Sequence, residues 1–327
     1  MATHVLSIDQ GTTGTTVLVI DRRLRVQAKV NLEFPQHFPR PGQVEHDLEE
    51  IWGSTVKAVG RALARARVKG TAIAAIGITN QRETTALWDR ARGRPVHRAI
   101  VWQDRRTADA CAALRAAGEE ERVRARTGLV LDPYFSATKI RWLLDHVKGA
   151  RERAERGELA FGTVDTFLAW RLTGGAAHVT DASNASRTLL FDINTLTWDD
   201  DLLRLFGVPA AMLPEVLGSC ALFGRTSAGI AGGEIAVTGV AGDQQAALFG
   251  QGCLAPGMAK ATFGTGAFVV MNSGERAADG EGVLGTIAWR LPGEAVKYAL
   301  EGSVFVAGAA VEWLKEGLGI IGSAAEV

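Results

Sequence analysis

The sequence predicts an α/β protein made of two similarly built domains. Three observations lead there. Short β-rich runs alternate with amphipathic helical stretches. The 327 residues exceed what one hydrophobic core ordinarily serves. And a pattern of strand, Gly/Thr turn and strand occurs twice, near the start and again after Met258.

Taken in order, Val5–Ile8 and Thr16–Ile20 flank Gln10-Gly11-Thr12-Thr13-Gly14 and read as a hairpin with a Gly/Thr turn. Asp47-Leu48-Glu49-Glu50 is a capping-box pattern, and Leu48, Ile51, Trp52, Val59 and Leu63 follow at helical spacing. Ala72–Ile78 is an apolar strand leading into Asn80-Gln81-Arg82-Glu83-Thr84. Thr85–Asp89 and Ala99–Trp102 read as strands joined by a Gly93-Arg94-Pro95 turn. Helices are expected over Arg105–Ala116 and Ser136–Val147, and Phe161–Val164 is a strand after which Asp165 caps a helix to Leu172. Ile235–Val240 is a further apolar strand, ending at Ala241-Gly242-Asp243 where a helix begins. Gly257–Phe263, Gly264-Thr265-Gly266 and Ala267–Asn272 then repeat the opening grammar. Gly, Cys and Pro interrupt the chain at Gly250–Pro256, which sets the expected domains at residues 1–251 and 252–327. The second ends inside a helix pattern, Val311–Leu318, and so reads as incomplete.

Composition is that of a soluble globular protein, 47% hydrophobic and 22% charged. Lys+Arg and Asp+Glu both total 36, so the net charge is zero, and no electrostatic footprint for nucleic acid or an anionic membrane is present. Cys111, Cys220 and Cys253 are far apart and form neither a disulfide framework nor a zinc spacing. Without signal-peptide grammar or a membrane-length apolar run, the expected location is the cytoplasm.

Four places carry chemistry. In Asp9-Gln10-Gly11-Thr12-Thr13-Gly14, glycines let backbone N–H groups approach a phosphate, threonines add donors, and the strand-end aspartate suits a hard cation through water. A strand follows the turn, so neither a Walker A loop nor a Rossmann turn fits. The same run equally suits an ordinary hairpin, but the second turn, Gly264-Thr265-Gly266, would let two turns clamp one polyphosphate. Arg82 and Glu83 set a donor fork beside an acceptor at a strand end, the mixture a polyol needs. Pattern alone leans instead to a solvated loop ion pair. Tyr134 and Trp102 offer a phenol and a flat apolar face, with core packing as the default for both. Asp243, between a strand and a helix start, suits an N-cap and also a base accepting an alcohol proton; the two roles are compatible.

Together these segments resemble the glycerol-kinase branch of the FGGY carbohydrate-kinase family. The matching runs are Asp9–Thr13, Gly77–Thr85, Ala99–Gln103, Thr127–Ser136, Gly162–Thr166, Val179–Arg187, Ala241–Gln251 and Gly264–Phe268. The resemblance runs from about Val5 to the end of the chain. It implies an actin-like ATPase architecture, two ribonuclease-H-like domains closing on a cleft, with ATP and Mg²⁺ as cofactors. By the same resemblance, glycerol would be held by Arg82, Glu83, Tyr134, Asp243 and Gln244, with Trp102 and Phe268 as walls and Asp243 as base. Thr12, Thr13, Gly14, Thr265 and Gly308 would hold the nucleotide, and Asp9 and Asp243 the metal. The expected product is glycerol 3-phosphate, beside ADP, with a homo-oligomer left open.

Three positions depart from the family pattern. Thr16 stands where an Arg is usual, removing a charge that would neutralise phosphate; Glu312 replaces a Gln near the nucleotide; and Glu234 replaces an Arg that serves fructose 1,6-bisphosphate binding in some bacterial relatives. The family's glycine-rich adenosine-binding region is absent from these residues. The alternatives are therefore an inactive glycerol-binding remnant, an FGGY kinase for a pentulose, and an actin-like or chaperone-type ATPase without a small substrate.

Overall fold

The computed structural model describes residues 2–264, 266–277, 280–304 and 306–327. The principal elements are numbered here, and short strands are given by residue. The opening hairpin forms as its pattern requires: β1 (His4–Gln10) pairs antiparallel with β2 (Gly14–Asp21), which pairs antiparallel with β3 (Val26–Glu33). Along β1, Leu6 and Ile8 are buried while Val5 and Asp9 are exposed, the two-residue alternation of a strand with one face on a core.

Helix α1 (Leu48–Ala66) covers that core face with Leu48, Ile51, Ala58, Val59 and Ala62. Each fully buried Leu or Ile contributes roughly 1.5–3 kcal/mol against leaving it in water. The Asp47 carboxylate caps the helix by accepting from the Glu49 backbone N–H at 2.8 Å. The chain then enters β4 (Ile73–Asn80), which lies parallel to β1 on the side away from β2.

Helix α2 (Ser136–His146) and helix α3 (Val164–Leu172) follow. The residue that enters α3 is Thr163; Asp165 sits within the first turn and accepts hydroxyls from Thr163 and Thr180, so its expected capping role is corrected. The strand at Ala86–Asp89 pairs with Leu159–Gly162, whereas Ala99–Ile100 pairs with Glu45–His46. The two are therefore not the continuous hairpin their sequence suggests; isolated antiparallel bridges, Thr85 with Ile100 and Trp88 with Pro95, join the stretch across its turn. Strands β5 (Cys220–Arg225) and β6 (Ala236–Gly242) complete a six-stranded sheet in the order β5-β6-β4-β1-β2-β3, with β6 parallel to β4.

Helix α4 (Asp243–Gly250) leads to a second, four-stranded antiparallel sheet. It comprises β7 (Ala259–Phe263), β8 (Ala267–Gly274), β9 (Leu284–Trp289) and β10 (Lys297–Val304), in the order β7-β8-β10-β9. Helix α5 (Gly308–Glu312) follows and widens into a π-type turn over Trp313–Gly317, so the helical stretch begins three residues before the expected Val311. Among the described residues no helix is long and apolar enough to cross a membrane.

Candidate active site

Three parallel strands, β1, β4 and β6, end side by side. Register pairs Asp9 with Thr79 and Thr79 with Ala241, then Gln10 with Asn80 and Asn80 with Gly242. The residues that follow these ends therefore converge, as expected where α/β sheets gather their ligands. Asp243 is one of them. Gly242, not Asp243, is the N-cap of α4; among the described residues the Asp243 carboxylate accepts a hydrogen bond from its neighbour's backbone N–H, Gln244 at 2.7 Å, and faces the Arg82 guanidinium. Capping thus does not account for Asp243, whose side chain stays 37% exposed. Removal from bulk water pushes its carboxyl pKa up, Arg82 and the Gln244 N–H pull it down, and the nearby charges of Asp9 and Glu301 push it up again.

A buried polar network fixes the strand ends behind it. Asn80 and Asn184 exchange amide hydrogen bonds at 3.0 and 3.2 Å, Asn184 donates to Asp181, and the Gly242 N–H donates to Ser183 Oγ at 3.0 Å. The run Val179–Arg187 is in this way the rear support of the site.

Arg82 and Glu83 are 3% and 1% exposed, which corrects the solvated ion-pair reading. Instead they belong to a ring of buried charges. Arg82 grips Glu301 of β10 at 2.5 and 3.0 Å; Arg187 reaches Glu301 at 2.9 Å and Glu83 at 2.7 Å. Neither Glu301 nor Arg187 is among the site residues that the sequence predicts. A glutamate in the apolar run Tyr298-Ala299-Leu300-Glu301 was the available signal for the first.

Burial opposes ionisation of Glu301, yet Arg187 and Arg82 hold its pKa at about 2; Glu83, sharing the same cations, is pushed up by burial. Arg82 also donates to Tyr134 Oη at 3.2 Å, and its Nε lies 3.4 Å from Asp243 Oδ1.

Glu83 has φ +59°, the left-handed region that side chains rarely adopt. Its carbonyl is held there by Ser136 Oγ and by the Lys139 ammonium, both at 3.1 Å. Lys139 also donates to the Tyr134 and Val101 carbonyls, at 2.7 and 3.4 Å. Burial pulls its pKa down to about 7, with Glu83, Asp104 and Asp132 pulling the other way. One fully buried lysine thus ties together the segments carrying Glu83, Trp102 and Tyr134. Its place on the apolar face of α2, four residues before Leu143, was the sequence signal.

In the first Gly/Thr turn, the Gly11 N–H donates to the Gly14 carbonyl at 2.9 Å. A Cβ at Gly14 would lie 3.0 Å from the Leu32 carbonyl, so the turn leaves little room there for a side chain. Gln81 and Gln36 donate to the Gly11 and Thr12 carbonyls, and Trp102 Nε1 donates to Thr12 Oγ1 at 2.9 Å. That bond occupies a lone pair of the Thr12 hydroxyl and leaves its proton to be given away. Thr13 is exposed at the tip.

In the second turn, the Gly264 N–H donates to the Gly266 carbonyl and the Gly308 N–H to the Gly264 carbonyl, both at 2.9 Å. Thr265 lies outside the described residues. The Trp102 ring meets Phe268, just past that turn, edge-on at 6.2 Å, and Tyr134 at 5.8 Å. One indole is therefore beside both turns, and it lines a cavity of about 450 Å³ with Gln103, Arg105, Asp132 and Tyr134. A larger cavity, about 810 Å³, lies between Arg90–Pro95 and Trp170–Gly175. None of the converging strand ends lines it, so size does not identify the site.

Gln244 is buried; its side chain accepts from Lys260 of β7. Thr16 accepts from Asn31 on the first hairpin, and Glu312 is exposed beside Lys315. Among the described residues no three His, Cys, Asp or Glu side chains cluster as a metal cage. Two carboxylates with mutual electrostatic influence, Asp9 and Asp243, fit a hydrated Mg²⁺ that arrives with phosphate oxygens, since that ion keeps several waters and takes one or two carboxylates.

Known proteins match this chain in sequence and in shape. Residues 4–250 match the FGGY family of carbohydrate kinases, N-terminal domain. A glycerol kinase of Geobacter sp. (strain M21) is 62% identical over 99% of the chain, and one of Bradyrhizobium sp. (strain BTAi1) is 60% identical over 98%. The chain spans 66% and 64% of those proteins' lengths. Among solved structures, Plasmodium falciparum glycerol kinase with ADP superposes with a TM-score of 0.92 at 36% identity, over 99% of this chain and 65% of that one. A xylulose kinase from Rhodospirillum rubrum shares the fold, with a TM-score of 0.85 at 24% identity, over 98% of this chain and 64% of that one. The architecture is the actin-like ATPase type common to these kinases, and the chain belongs to the FGGY family of carbohydrate kinases.

Proposed function

We propose that the chain serves the ATP-dependent phosphorylation of glycerol at a primary hydroxyl, giving glycerol 3-phosphate and ADP. The observation that carries this reading is the Asp243 carboxylate, uncapped and part-exposed at the end of β6, between the Arg82 guanidinium and the carboxylate-bearing end of β1. A carboxyl with a raised pKa is a better proton acceptor for an attacking alcohol. Arg82, Glu83, Tyr134 and Gln244 supply donors and acceptors for the remaining hydroxyls, and Trp102 and Phe268 flank the carbon chain. The similarity to glycerol kinases at about 60% identity supports glycerol over a pentulose.

Thr12, Thr13 and Gly14 on one side, and Thr265 with Gly308 on the other, are the proposed phosphate contacts. Mg²⁺, held beside Asp9 and Asp243, would neutralise charge on the transferring group. The chain's own work is positioning: aligning a hydroxyl with a phosphorus is worth on the order of 7–11 kcal/mol when water is excluded. Residues 1–251 and 252–327 are the proposed units that meet around this site.

A coupled assay of the chain with glycerol, xylulose and Mg-ATP, beside Asp243→Asn, tests the reading. The expected loss in Asp243→Asn is about 10²–10⁴-fold in kcat, with glycerol affinity changed much less. Equal turnover in both proteins would remove Asp243 from its role; phosphorylation of xylulose alone would replace the substrate.

A further inference from the structure

Lys260 lies on β7, one strand before the second Gly/Thr turn, and is 3% exposed. Its ammonium donates to Oε1 of Gln244 and, at 2.8 Å, to Oγ1 of Thr262. Burial pulls its pKa down to about 8, Arg82 adds to that, and Asp243 and Glu301 oppose it. A lysine inside a protein ordinarily pairs with a carboxylate. This one grips a neutral amide, and that choice has a chemical consequence.

An amide has an acceptor end and a donor end of nearly equal size. An ammonium has donors only, so the end of Gln244 facing Lys260 must be the oxygen. The Gln244 nitrogen is thereby turned the other way, and among the described residues it has no hydrogen-bond partner and is not sealed from solvent. Directly before it in the chain stands Asp243, whose carboxylate is held by the Gln244 backbone N–H. Neighbouring residues thus offer one acceptor and one donor. A polyol needs that pairing, because adjacent hydroxyls then donate to the first and accept from the second. With the amide reversed, two acceptors would stand together and one hydroxyl would lose its partner.

We propose that Lys260 is a positioning residue that sets the direction of the Gln244 amide, so that the site presents a donor next to the Asp243 acceptor and selects a vicinal diol. The inference rests on the polyol reading above and adds a residue of the second sheet to it.

The test is a double-mutant cycle on glycerol binding by the chain, measured by calorimetry. Lys260→Met is expected to weaken glycerol about tenfold, the worth of one good hydrogen bond. Lys260→Arg, which keeps a donor, recovers part of that loss. In a Gln244→Leu background Lys260→Met should have no further effect, because the residue it acts through is gone. In kinetics the loss appears in KM more than in kcat. A second readout needs no substrate: in the ligand-free, isotope-labelled chain, the Gln244 side-chain carbonyl carbon should resonate at a position shifted by the ammonium it accepts from, and should lose that shift in Lys260→Met.

Additive losses in the cycle, or unchanged glycerol affinity in a folded Lys260→Met, overturn the proposal. Wild type that binds no glycerol, yet shows the shifted carbonyl, sinks the polyol reading and leaves the lysine–amide contact standing. Wild type that binds glycerol with an unshifted carbonyl sinks the contact alone.

Discussion

Glu301 shows how much one side chain governs here. It is fully buried, and both oxygens are taken by guanidinium groups, Arg82 on each and Arg187 on one. Two effects oppose each other: desolvation disfavours the carboxylate, while two cations within 3 Å favour it, and the pKa near 2 says the cations win. A folded pKa below the ordinary carboxylate value means stability present in full above pH 4.5, lost progressively as pH falls from there and gone by about pH 2. Glu301 is therefore charged throughout the neutral range. Glu301→Gln leaves Arg82 and Arg187 without their shared partner, and a broken buried pair costs about 3–5 kcal/mol. The expected result is a lower urea midpoint at unchanged m-value. Glycerol affinity should fall with it, since the Arg82 fork loses its fixed direction. A midpoint within error of wild type would show that the ring is not holding Arg82.

At the scale of elements, α1 is a helix whose ends are written in its own residues. Asp47 satisfies an N–H that would otherwise be orphaned, Glu49 and Glu50 suit the positive end, and Arg67 closes the helix in the left-handed conformation with its N–H on Ala64 and Leu63. Asp47→Ala should cost about 1 kcal/mol, a drop in melting temperature of roughly 2–4 °C for a domain of this size. No change in glycerol affinity is expected, because the cap lies at the helix start and touches none of the site's side chains. A larger loss of affinity than of stability would show that loss of the cap is passed to the first turn, which α1 touches through Thr55 on Gln10 and Ser54 on Thr15. The segment Gln81–Thr84 behaves differently. Its left-handed Glu83 is imposed by Lys139 and Ser136 on α2, more than fifty residues further along, so no local propensity announces it.

For the molecule as a whole, acid sensitivity is set by histidines kept neutral. His46 is fully buried, accepts from Gln81 Nε2 at 3.3 Å and donates from its Nε2 to Gln36 Oε1 at 2.6 Å. Those two glutamines hold the first phosphate turn. Burial, with His37 adding to it, pulls the His46 pKa down to about 3, and burial takes His178 to about 4. The unfolded chain binds protons near pH 6.5 while the folded one does not, so stability falls as pH drops below 6.5 and continues to fall toward 4. Each histidine contributes a slope of about 1.4 kcal/mol per pH unit in that window. His46→Phe should lower stability at neutral pH, through two lost hydrogen bonds, but should make the acid limb shallower by one proton. An unchanged slope in urea titrations at pH 4 to 6.5 would mean His46 is protonated in the fold.

Much of this was legible from residue order. Alternation in Leu6–Asp9, the Asp47 N-cap and the turn Gly11–Gly14 are local rules, and each produced the element it predicted, although the full capping box did not form because Glu50 pairs with His37. The runs Asn80–Thr84 and Ala241–Gln251 located the strand ends at which the candidate site assembles. The pairing of Ala86–Asp89 with Leu159–Gly162 was not legible, because strand partners some seventy residues apart are chosen by packing of both faces. Nor were the roles of Arg187, Lys139, Lys260 and Glu301, whose partners are remote in the chain. By itself the sequence determined most of the elements, the family and the candidate residues for the chemistry, since these depend on side-chain type and near neighbours. Only the tertiary structure decided that Arg82 and Glu83 are sealed in a ring of charge, that Gly242 caps α4 in place of Asp243, and which way Gln244 points. Burial and hydrogen-bond direction depend on what the rest of the chain brings alongside.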